Sequence, residues 1–478
     1  MKKAAPQREE AGRRSGRVGH PALVISILNV GLYVGLCVGV VGQSAGSERP
    51  DTPSPVEAGY LADYRLELSR DLRHLDVTVT PGPAADFTRL RSFNDNARDR
   101  LVRSSLVNLE PGRRSLQISQ PGKPLHYRVD FRHSPRQGYT ARFLTGGNVR
   151  ISDWADWLWL PRGWHGQHRI RLQFVLPKGY QVTTPFQIVE RGEGFALYDA
   201  MPVMLDHGGF AAFGDIGVAD IEHPGGRVSI AVVSADPGIR ERYDKWVRTV
   251  SDAVIGVHGW LPQASVQVAI VPAILGSGPV PWAHVRRGGG SAVIAYVNPS
   301  VSDTDLYRDW SLFHEFAHLY HPYLGRKGRW IAEGFASYYQ NVYRARAGIV
   351  SADYAWSRLQ AGLKRGAKEA RQKPGRTVLE GGRMRTYWTG AALALDIDTR
   401  LREQSGGRDS LEKVMGRFAE CCLPSENPWR PADYMRKLDQ LSGTHIFSQL
   451  YAKTLSSTRF PQVAKSDALY EQIIMSGG

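Results

Sequence analysis

The chain has 478 residues, of which 42% are apolar and 10% aromatic. This composition excludes a disordered protein. The chain is longer than a domain with a single hydrophobic core usually is, so two or three domains are expected. Lys and Arg outnumber Asp and Glu by 61 to 46, and the resulting charge of +15 is spread along the chain. Nothing in this distribution suggests nucleic-acid recognition. Cys37 and the adjacent Cys421 and Cys422 allow no disulfide framework to be proposed and form no cysteine metal site.

The first residues have the pattern of a targeting segment. Residues 1–20 are basic, and the uncharged residues 21–44 contain an apolar run that reaches bilayer length. The run is a cleaved signal peptide or an uncleaved anchor, and we favour the anchor because the run exceeds a usual signal-peptide core. Gly31, Gly35 and Gly39 have the spacing that lets membrane helices pack, which allows a homodimer. Anchored, the chain would be a single-pass membrane protein with its folded part in the periplasm; cleaved, it would be secreted.

The sequence then divides into segments of different pattern. Residues 45–59 are rich in Pro, Ser and charge, which predicts a flexible linker. Across residues 60–206, short alternating runs are separated by Pro and Gly, a pattern typical of an antiparallel β-sandwich. We interpret the four tryptophans of "DWADWLWLPRGW" as packing residues. Residues 207–400 mix strand and helix patterns and residues 401–478 are helical, so we predict an α+β fold with a helical C-terminal lobe.

The motif with the clearest chemistry is "HEFAH", residues 314–318, inside an apolar helical pattern. Because His314 and His318 are four residues apart, they share one face of a helix and could bind one metal ion. Two imidazole nitrogens suit zinc, and Glu315 could accept a proton from an activated water as a general base. Such five-residue patterns also arise by chance, so two amphipathic helices without a metal site are the alternative.

A second helical stretch, "RWIAEGFASYYQ", provides Glu333 as the third metal ligand. Catalytic zinc sites have three protein ligands and one open position. An unpaired carboxylate among these apolar residues would be costly to bury, and pairing of Glu333 with an arginine is the alternative. Ser337, one turn later, could orient a ligand or face solvent. His321 lies about 10 Å along the helix from His314, too far to share a metal, so we interpret it as structural.

These residues resemble a known family. The two helices and the segment "YWTGAALALDIDTRLREQSGGRDSLEKVM" look like gluzincin metallopeptidases, most closely the glycyl aminopeptidase-like family related to aminopeptidase N. The resemblance covers the chain beyond the linker and implies an N-terminal β-sandwich, a thermolysin-like catalytic domain and a helical C-terminal part. It also implies that His314, His318 and Glu333 bind one zinc ion, that Glu315 is the general base, and that Tyr387 stabilises the oxyanion.

Two departures from the family pattern bear on specificity. Relatives have a Gly-rich strand with a glutamate that holds the free amine of the substrate, whereas residues 286–299, "RRGGGSAVIAYVNP", contain no acid. The backbone of Gly289, Gly290 and Ser291 could still pair with an extended substrate as an added strand. The family also usually has Lys where Thr389 stands. An aminopeptidase-like enzyme without the usual amine-binding acid is therefore expected.

The sequence thus predicts a membrane-tethered, extracytoplasmic zinc metallopeptidase that acts on a peptide or protein substrate. Arg286 and Arg287 could favour an acidic substrate or be ordinary surface charge. Two alternatives stay open. One is a catalytically silent envelope-binding module that uses the β-sandwich and its tryptophans, and the other is a zinc amidase that acts on a cell-envelope substrate such as a peptidoglycan stem peptide.

Overall fold

In a computed structural model of the chain, the described residues are 59–84, 86–104, 107–109, 114–132, 145–146, 148–164, 168–206, 209–273, 276–286, 291–425, 427–463, 470 and 473–474. The predicted targeting segment, the linker up to residue 58, and Gly289 and Gly290 lie outside these ranges. Within them, no helix has both the length and the apolar character that a membrane span requires.

The first part of the described chain is built from β-strands. Their bounds, with two short helices, are β1 (Tyr60–Leu68), β2 (His74–Pro81), β3 (Asp86–Ser92), α1 (Asp95–Asp99), β4 (Leu101–Ser104), β5 (Val107–Leu109), β6 (Ser115–Ile118), β7 (Leu125–Asp130), β8 (Thr145–Gly146), β9 (Val149–Asp153), β10 (Trp159–Arg162), β11 (Arg169–Val175), β12 (Gln181–Thr183), β13 (Gln187–Gly192), β14 (Phe195–Ala200), α2 (Pro202–Asp206) and β15 (Phe210–Gly214).

Among the described residues these strands form three sheets, with orders β13-β14-β11-β1-β2-β7-β4, β10-β3-β6-β5 and β12-β15-β9-β8. The first sheet is antiparallel except for the parallel pair β1 and β11. Along β11 every second side chain is buried, as the alternating sequence predicts. Trp154, Trp157 and Trp159 are fully buried in the core of this region, so their interpretation as packing residues is confirmed.

A mixed sheet with a crossover helix follows. Its elements are β16 (Gly217–His223), β17 (Gly226–Val232), α3 (Pro237–His258), β18 (Ser265–Pro272), β19 (Trp282–Arg286) and β20 (Ser291–Val297), and the strand order in the described chain is β16-β17-β18-β20-β19. The inner pairs are parallel and both outer pairs are antiparallel. Val293 and Ala295 of β20 join the core under the helices, whereas Ile294 and Tyr296 face the core shared with β9 and β15. Burial on both faces explains the unbroken apolar run of β20.

The remainder is helical, with α4 (Asp303–Arg308), α5 (Ser311–Ala317), α6 (Gly325–Arg346), α7 (Ala352–Gln372), α8 (Arg383–Ser405), α9 (Leu411–Cys422), α10 (Pro431–Ser442) and α11 (Ile446–Ser456). The predicted α+β class and helical C-terminal part are confirmed, and the predicted domain boundaries stay predictions. At the end of α9, Cys421 and Cys422 are joined by a disulfide that the sequence analysis did not propose.

Helices α6 and α8 cross at two glycines. A Cβ added to Gly390 would overlap the carbonyl oxygen of Trp330 and lie 2.8 Å from Cα of Gly334, and one added to Gly334 would overlap the backbone of Gly390. The two backbones therefore touch where neither residue has a side chain. This contact sets Glu333, next to Gly334, close to Tyr387, which precedes Gly390 by one turn of α8.

We expect Gly390→Ala to destabilise the fold by about 1–3 kcal/mol or more, because the neighbouring atoms belong to backbone and cannot rotate away. Chemical denaturation in guanidinium would measure the change. Gly416→Ala in α9 is the matched control: its added Cβ meets nothing within 4 Å, so the higher helix propensity of Ala should stabilise it by about 0.5–1 kcal/mol. Equal stability of the two variants would contradict the close crossing.

Candidate metal centre and active site

The motif residues lie where the sequence predicts a helix, although the helix is short. His314 and Glu315 belong to α5, and His318 begins a single turn of 3-10 helix that ends at Tyr320. His314, Glu315 and His318 are all buried. Their placement follows from α5 packing against both α6 and the outer strand β19 of the mixed sheet.

The structure brings His314, His318 and Glu333 together. His314 Nε2 is 3.2 Å and His318 Nε2 is 3.8 Å from the same Glu333 oxygen, Oε2. One ligand atom from each residue lies within 4.8 Å of the others, which makes this cluster able to hold a metal ion. Two imidazole nitrogens and a carboxylate oxygen are a donor set that suits zinc.

Gln340 orients the first of these imidazoles. Its Oε1, an acceptor, lies 2.9 Å from His314 Nδ1, so Nδ1 must be the protonated nitrogen. Nε2 faces the cluster, where it donates to Glu333 when protonated and would give its lone pair to a bound metal ion. Metal-binding histidines usually make a hydrogen bond through their second nitrogen. For His314, Gln340 of α6 provides it.

His321 orients the second imidazole through a chain of hydrogen bonds. Its Nδ1 lies 3.0 Å from the carbonyl oxygen of Pro322, which only accepts, so Nδ1 carries the proton and Nε2 is an acceptor. That Nε2 lies 3.0 Å from His318 Nδ1, which must then donate and leave His318 Nε2 with its lone pair. His321 thus remains outside the ligand set, as the sequence predicts, but it fixes the tautomer of a ligand.

Two further residues complete the site. Glu315 Oε2 accepts a hydrogen bond of 2.8 Å from the backbone nitrogen of Val285 on β19, which fixes the carboxylate beside the histidines. The Tyr387 ring stacks on His314 with centroids 6.0 Å apart. Burial and the charge of Glu333 raise the pKa of Tyr387 to about 12, so its hydroxyl remains a donor at neutral pH.

Glu333 is anionic and has several partners. Burial opposes its ionisation, but the hydrogen bond and the charge of His314, together with its other neighbours, outweigh burial and lower the pKa of Glu333 to about 2. The Tyr387 hydroxyl lies near Glu333 and also lowers the pKa of this carboxyl. Arg329 Nε lies 3.6 Å from Glu333 Oε1, so the arginine pairing that the sequence left as an alternative occurs together with the histidine cluster.

The structure also places three other residues for which the sequence suggested a role. Ser291 is buried at the start of β20, which is an inner strand, and the outer strand on that side is β19. Among the described residues the outer strand on that side is therefore β19, and the substrate-binding role of Ser291 stays a prediction. Ser337 is buried rather than facing solvent, and its role near a ligand stays a prediction.

Arg286 contacts Asp153 of β9 at 2.5 Å, so it is not ordinary surface charge.

The sequence analysis missed Gln340 and Arg329 and gave His321 only a structural role. A signal for Gln340 was present, because it is a polar residue within the apolar, aromatic run "YYQNVY" of a buried helix. Arg329 gave no such signal, since an arginine at the start of a helix usually faces solvent.

The chain matches a model of the M61 glycyl aminopeptidase family over residues 317–380. No curated protein matches the sequence. An aminopeptidase N family protein from Idiomarina loihiensis has a similar structure, with 14% identity, a TM-score of 0.62, and coverage of 86% of this chain and 78% of the other. An M1 zinc metallopeptidase from Deinococcus radiodurans has 13% identity, a TM-score of 0.52, and coverage of 84% and 94%. Yeast LTA4 hydrolase in complex with bestatin has 11% identity, a TM-score of 0.50, and coverage of 88% and 72%.

At these identities the structural likeness shows a shared fold, that of the aminopeptidase N type of metallopeptidase. Together with the match to the glycyl aminopeptidase family, it confirms the resemblance seen in the sequence. The matched residues include Glu333 but not His314, Glu315 or Tyr387. The roles of those residues therefore depend on the geometry given above.

We expect His321→Ala to weaken zinc binding by about 10- to 100-fold, because His318 loses the acceptor that fixes its tautomer. Competition with a fluorescent chelator would measure the affinity. Glu333→Ala, which removes a ligand, should weaken binding further, and His445→Ala, at an exposed histidine preceding α11, should leave it unchanged. His321→Asn supplies a side-chain oxygen as acceptor and should restore part of the affinity. Wild-type affinity in His321→Ala would refute the orienting role.

Proposed function

We propose that this chain is a zinc metallopeptidase that hydrolyses peptide bonds, with His314, His318 and Glu333 as the zinc ligands. The observation that supports this most directly is the convergence of these three donor atoms, with both imidazole tautomers already set for metal binding. Glu315 and Tyr387 at the same place supply an acid-base group and a hydrogen-bond donor. A structural ion pair alone would need neither.

In the proposed reaction each residue has a distinct task. Bound zinc supplies Lewis-acid activation of the water and of the peptide carbonyl. Glu315, held by the Val285 amide, accepts a proton from the attacking water and passes it to the leaving amine. The protonated Tyr387 hydroxyl donates a hydrogen bond to the oxyanion of the tetrahedral intermediate. The outer position of β19 in its sheet supports binding of an extended peptide as an added strand near Glu315.

The alternative of a silent binding module has less support. That module would need exposed aromatic side chains on the β-sandwich, but Trp154, Trp157 and Trp159 are all fully buried. Burial gives these tryptophans a packing role and removes the surface on which the alternative depends.

We also propose that the enzyme is tethered to a membrane and works outside the cytoplasm. The support is the sequence of residues 1–44, a basic flank followed by an uncharged apolar run of bilayer length. The glycine repeat within that run supports a helix pair in the membrane.

Incubation of the zinc-loaded, full-length chain with a mixed peptide library, followed by mass spectrometry of every cut, tests the activity. We expect cleavage that falls by about 10²–10⁴-fold in Glu315→Gln, because the isosteric amide cannot accept the proton. Trimming from free N-termini would define an aminopeptidase, and internal cuts an endopeptidase. Cleavage that persists in Glu315→Gln, or no cleavage of any peptide by the wild type, would refute the proposal.

Fractionation of cells that express the full-length chain tests the tether. We expect the protein in the membrane pellet after alkaline carbonate extraction, because an apolar span leaves the bilayer only in detergent. A chain that begins at residue 59 is the control and should stay in the supernatant. Recovery of both forms in the supernatant would contradict anchoring, and a shortened secreted product would indicate a cleaved signal peptide.

A further inference from the structure

Two arginines flank the predicted oxyanion donor. Arg329 lies on α6 one turn before Glu333, and Arg383 begins α8 one turn before Tyr387. Arg329 lies near enough to the Tyr387 hydroxyl to lower its pKa, and the Arg329 side chain is 62% exposed. The exposed Arg383 has its Cζ 5.7 Å from the centroid of the Tyr387 ring. Both guanidinium groups thus border the position that a substrate carbonyl would occupy.

Helices α6 and α8, which carry the two arginines, run in the same direction. Gly390 meets Gly334, and further along, Tyr338 donates a hydrogen bond of 2.7 Å to Asp398. The N-terminal turns of both helices therefore lie at the same end, where the helix dipoles are positive. Arg383 stands in the first turn of α8. Glu369 already accepts a hydrogen bond from the backbone nitrogen of Arg385 in that turn, so the two arginine side chains, more than the dipoles, attract an anionic group here.

We propose that Arg329 and Arg383 bind a carboxylate of the substrate next to the scissile bond. The carboxylate belongs either to an acidic side chain or to the free C-terminus of the peptide. This inference rests on the proposed peptidase function and names the class of substrate that the site takes. Guanidinium groups suit the role because their fixed N–H donors match the geometry of a carboxylate. With five donors, Arg329 can bind one while it keeps its contacts to Glu333 and Tyr387.

The same charges disfavour the N-terminal ammonium of a peptide. The charged groups that act most strongly on Tyr387 are Glu333 and Arg329, and Glu333 belongs to the metal cluster. Residues 286–299 include no acid that could hold an amine. The acid on the other side of α8, Glu369, accepts a hydrogen bond of 2.6 Å from the backbone nitrogen of Arg385. Cationic substrate groups thus meet repulsion where a carboxylate is attracted.

Arg286 does not compete for this role. Its guanidinium contacts Asp153, which is buried in the β-strand region and is only 5% exposed. From the sequence, Arg286 was considered as the residue that could favour an acidic substrate. We assign that preference instead to Arg329 and Arg383, which lie on the helices that hold Glu333 and Tyr387.

Binding can be tested without turnover in the zinc-loaded, full-length Glu315→Gln variant. Three N-terminally blocked fluorescent peptides share one neutral sequence: one ends in an amide, one ends in an amide with a single internal Glu, and one has a free C-terminal carboxylate. Fluorescence anisotropy gives each dissociation constant. We expect at least one carboxylate peptide to bind about tenfold more tightly than the neutral amide, and the better of the two identifies the source of the carboxylate.

Arg329→Ala and Arg383→Ala should each reduce this ratio toward one, and Arg329→Lys should retain part of it. Arg400→Ala removes the same charge at the far end of α8, where Arg400 pairs with Asp396, and should keep the ratio. A ratio near one in the parent, including no binding of any peptide, would overturn the subsite. So would a preference that survives both arginine substitutions, or an equal loss of affinity for all three peptides.

These outcomes separate the subsite from the enzyme activity. If the wild type cuts the peptide library but shows no preference for carboxylates, only the subsite is refuted. If Glu315→Gln prefers carboxylates through Arg329 and Arg383 while the wild type cuts nothing, the subsite stands and the peptidase proposal is refuted.

Discussion

The active site depends on one contact, the crossing of α6 and α8 at Gly334 and Gly390. Because neither glycine has a side chain, the two helix backbones approach until they touch. Glu333 is adjacent to the first glycine and Tyr387 lies one turn before the second, so the crossing sets the carboxylate of the candidate metal cluster beside a phenol. A side chain at either glycine would separate the helices, and with them Glu333 and Tyr387, whose pKa values each depend on the other group. Two glycines far apart in sequence thus determine the geometry of the site.

A buried network of charges fixes the same helices further from the site. Asp398 of α8 accepts from Tyr338 of α6 and contacts Arg402, which also pairs with Glu412 of α9 at 2.8 Å. Arg346 at the end of α6 meets the same Glu412 at 2.8 Å. Buried charges of this kind are costly unless each has a partner, and here each one does. The network therefore defines how α6, α8 and α9 align, in addition to the contribution of their apolar packing.

The sequence revealed the parts of the site that depend on local spacing. His314, Glu315 and His318 lie within one turn, and their common face follows from helix periodicity alone. Tyr387 could be assigned only by resemblance to a family, and Glu333 was a candidate because it is a lone acid in an apolar helix. Their closeness to the histidines depends on a helix crossing that no local pattern specifies. Gln340 and Arg329 were missed for the same reason: each acts on a residue of another element. The outer position of β19 was missed because sheet order is a matter of long-range pairing, and β20 has the stronger apolar pattern.

Strand β19 links the β-strand region to the catalytic base. The backbone nitrogen of Val285 holds Glu315, and the next residue, Arg286, contacts Asp153 of β9. Burial raises the pKa of Asp153 to about 6, although the charge of Arg286 opposes this shift. The ion pair thus joins a buried carboxyl group of β9 to the outer strand β19. Since consecutive side chains of a strand point to opposite faces, one strand can contact both regions at once. The β-strand region therefore contacts the outer strand that holds Glu315, the proposed base, and that the proposed function gives to an extended substrate.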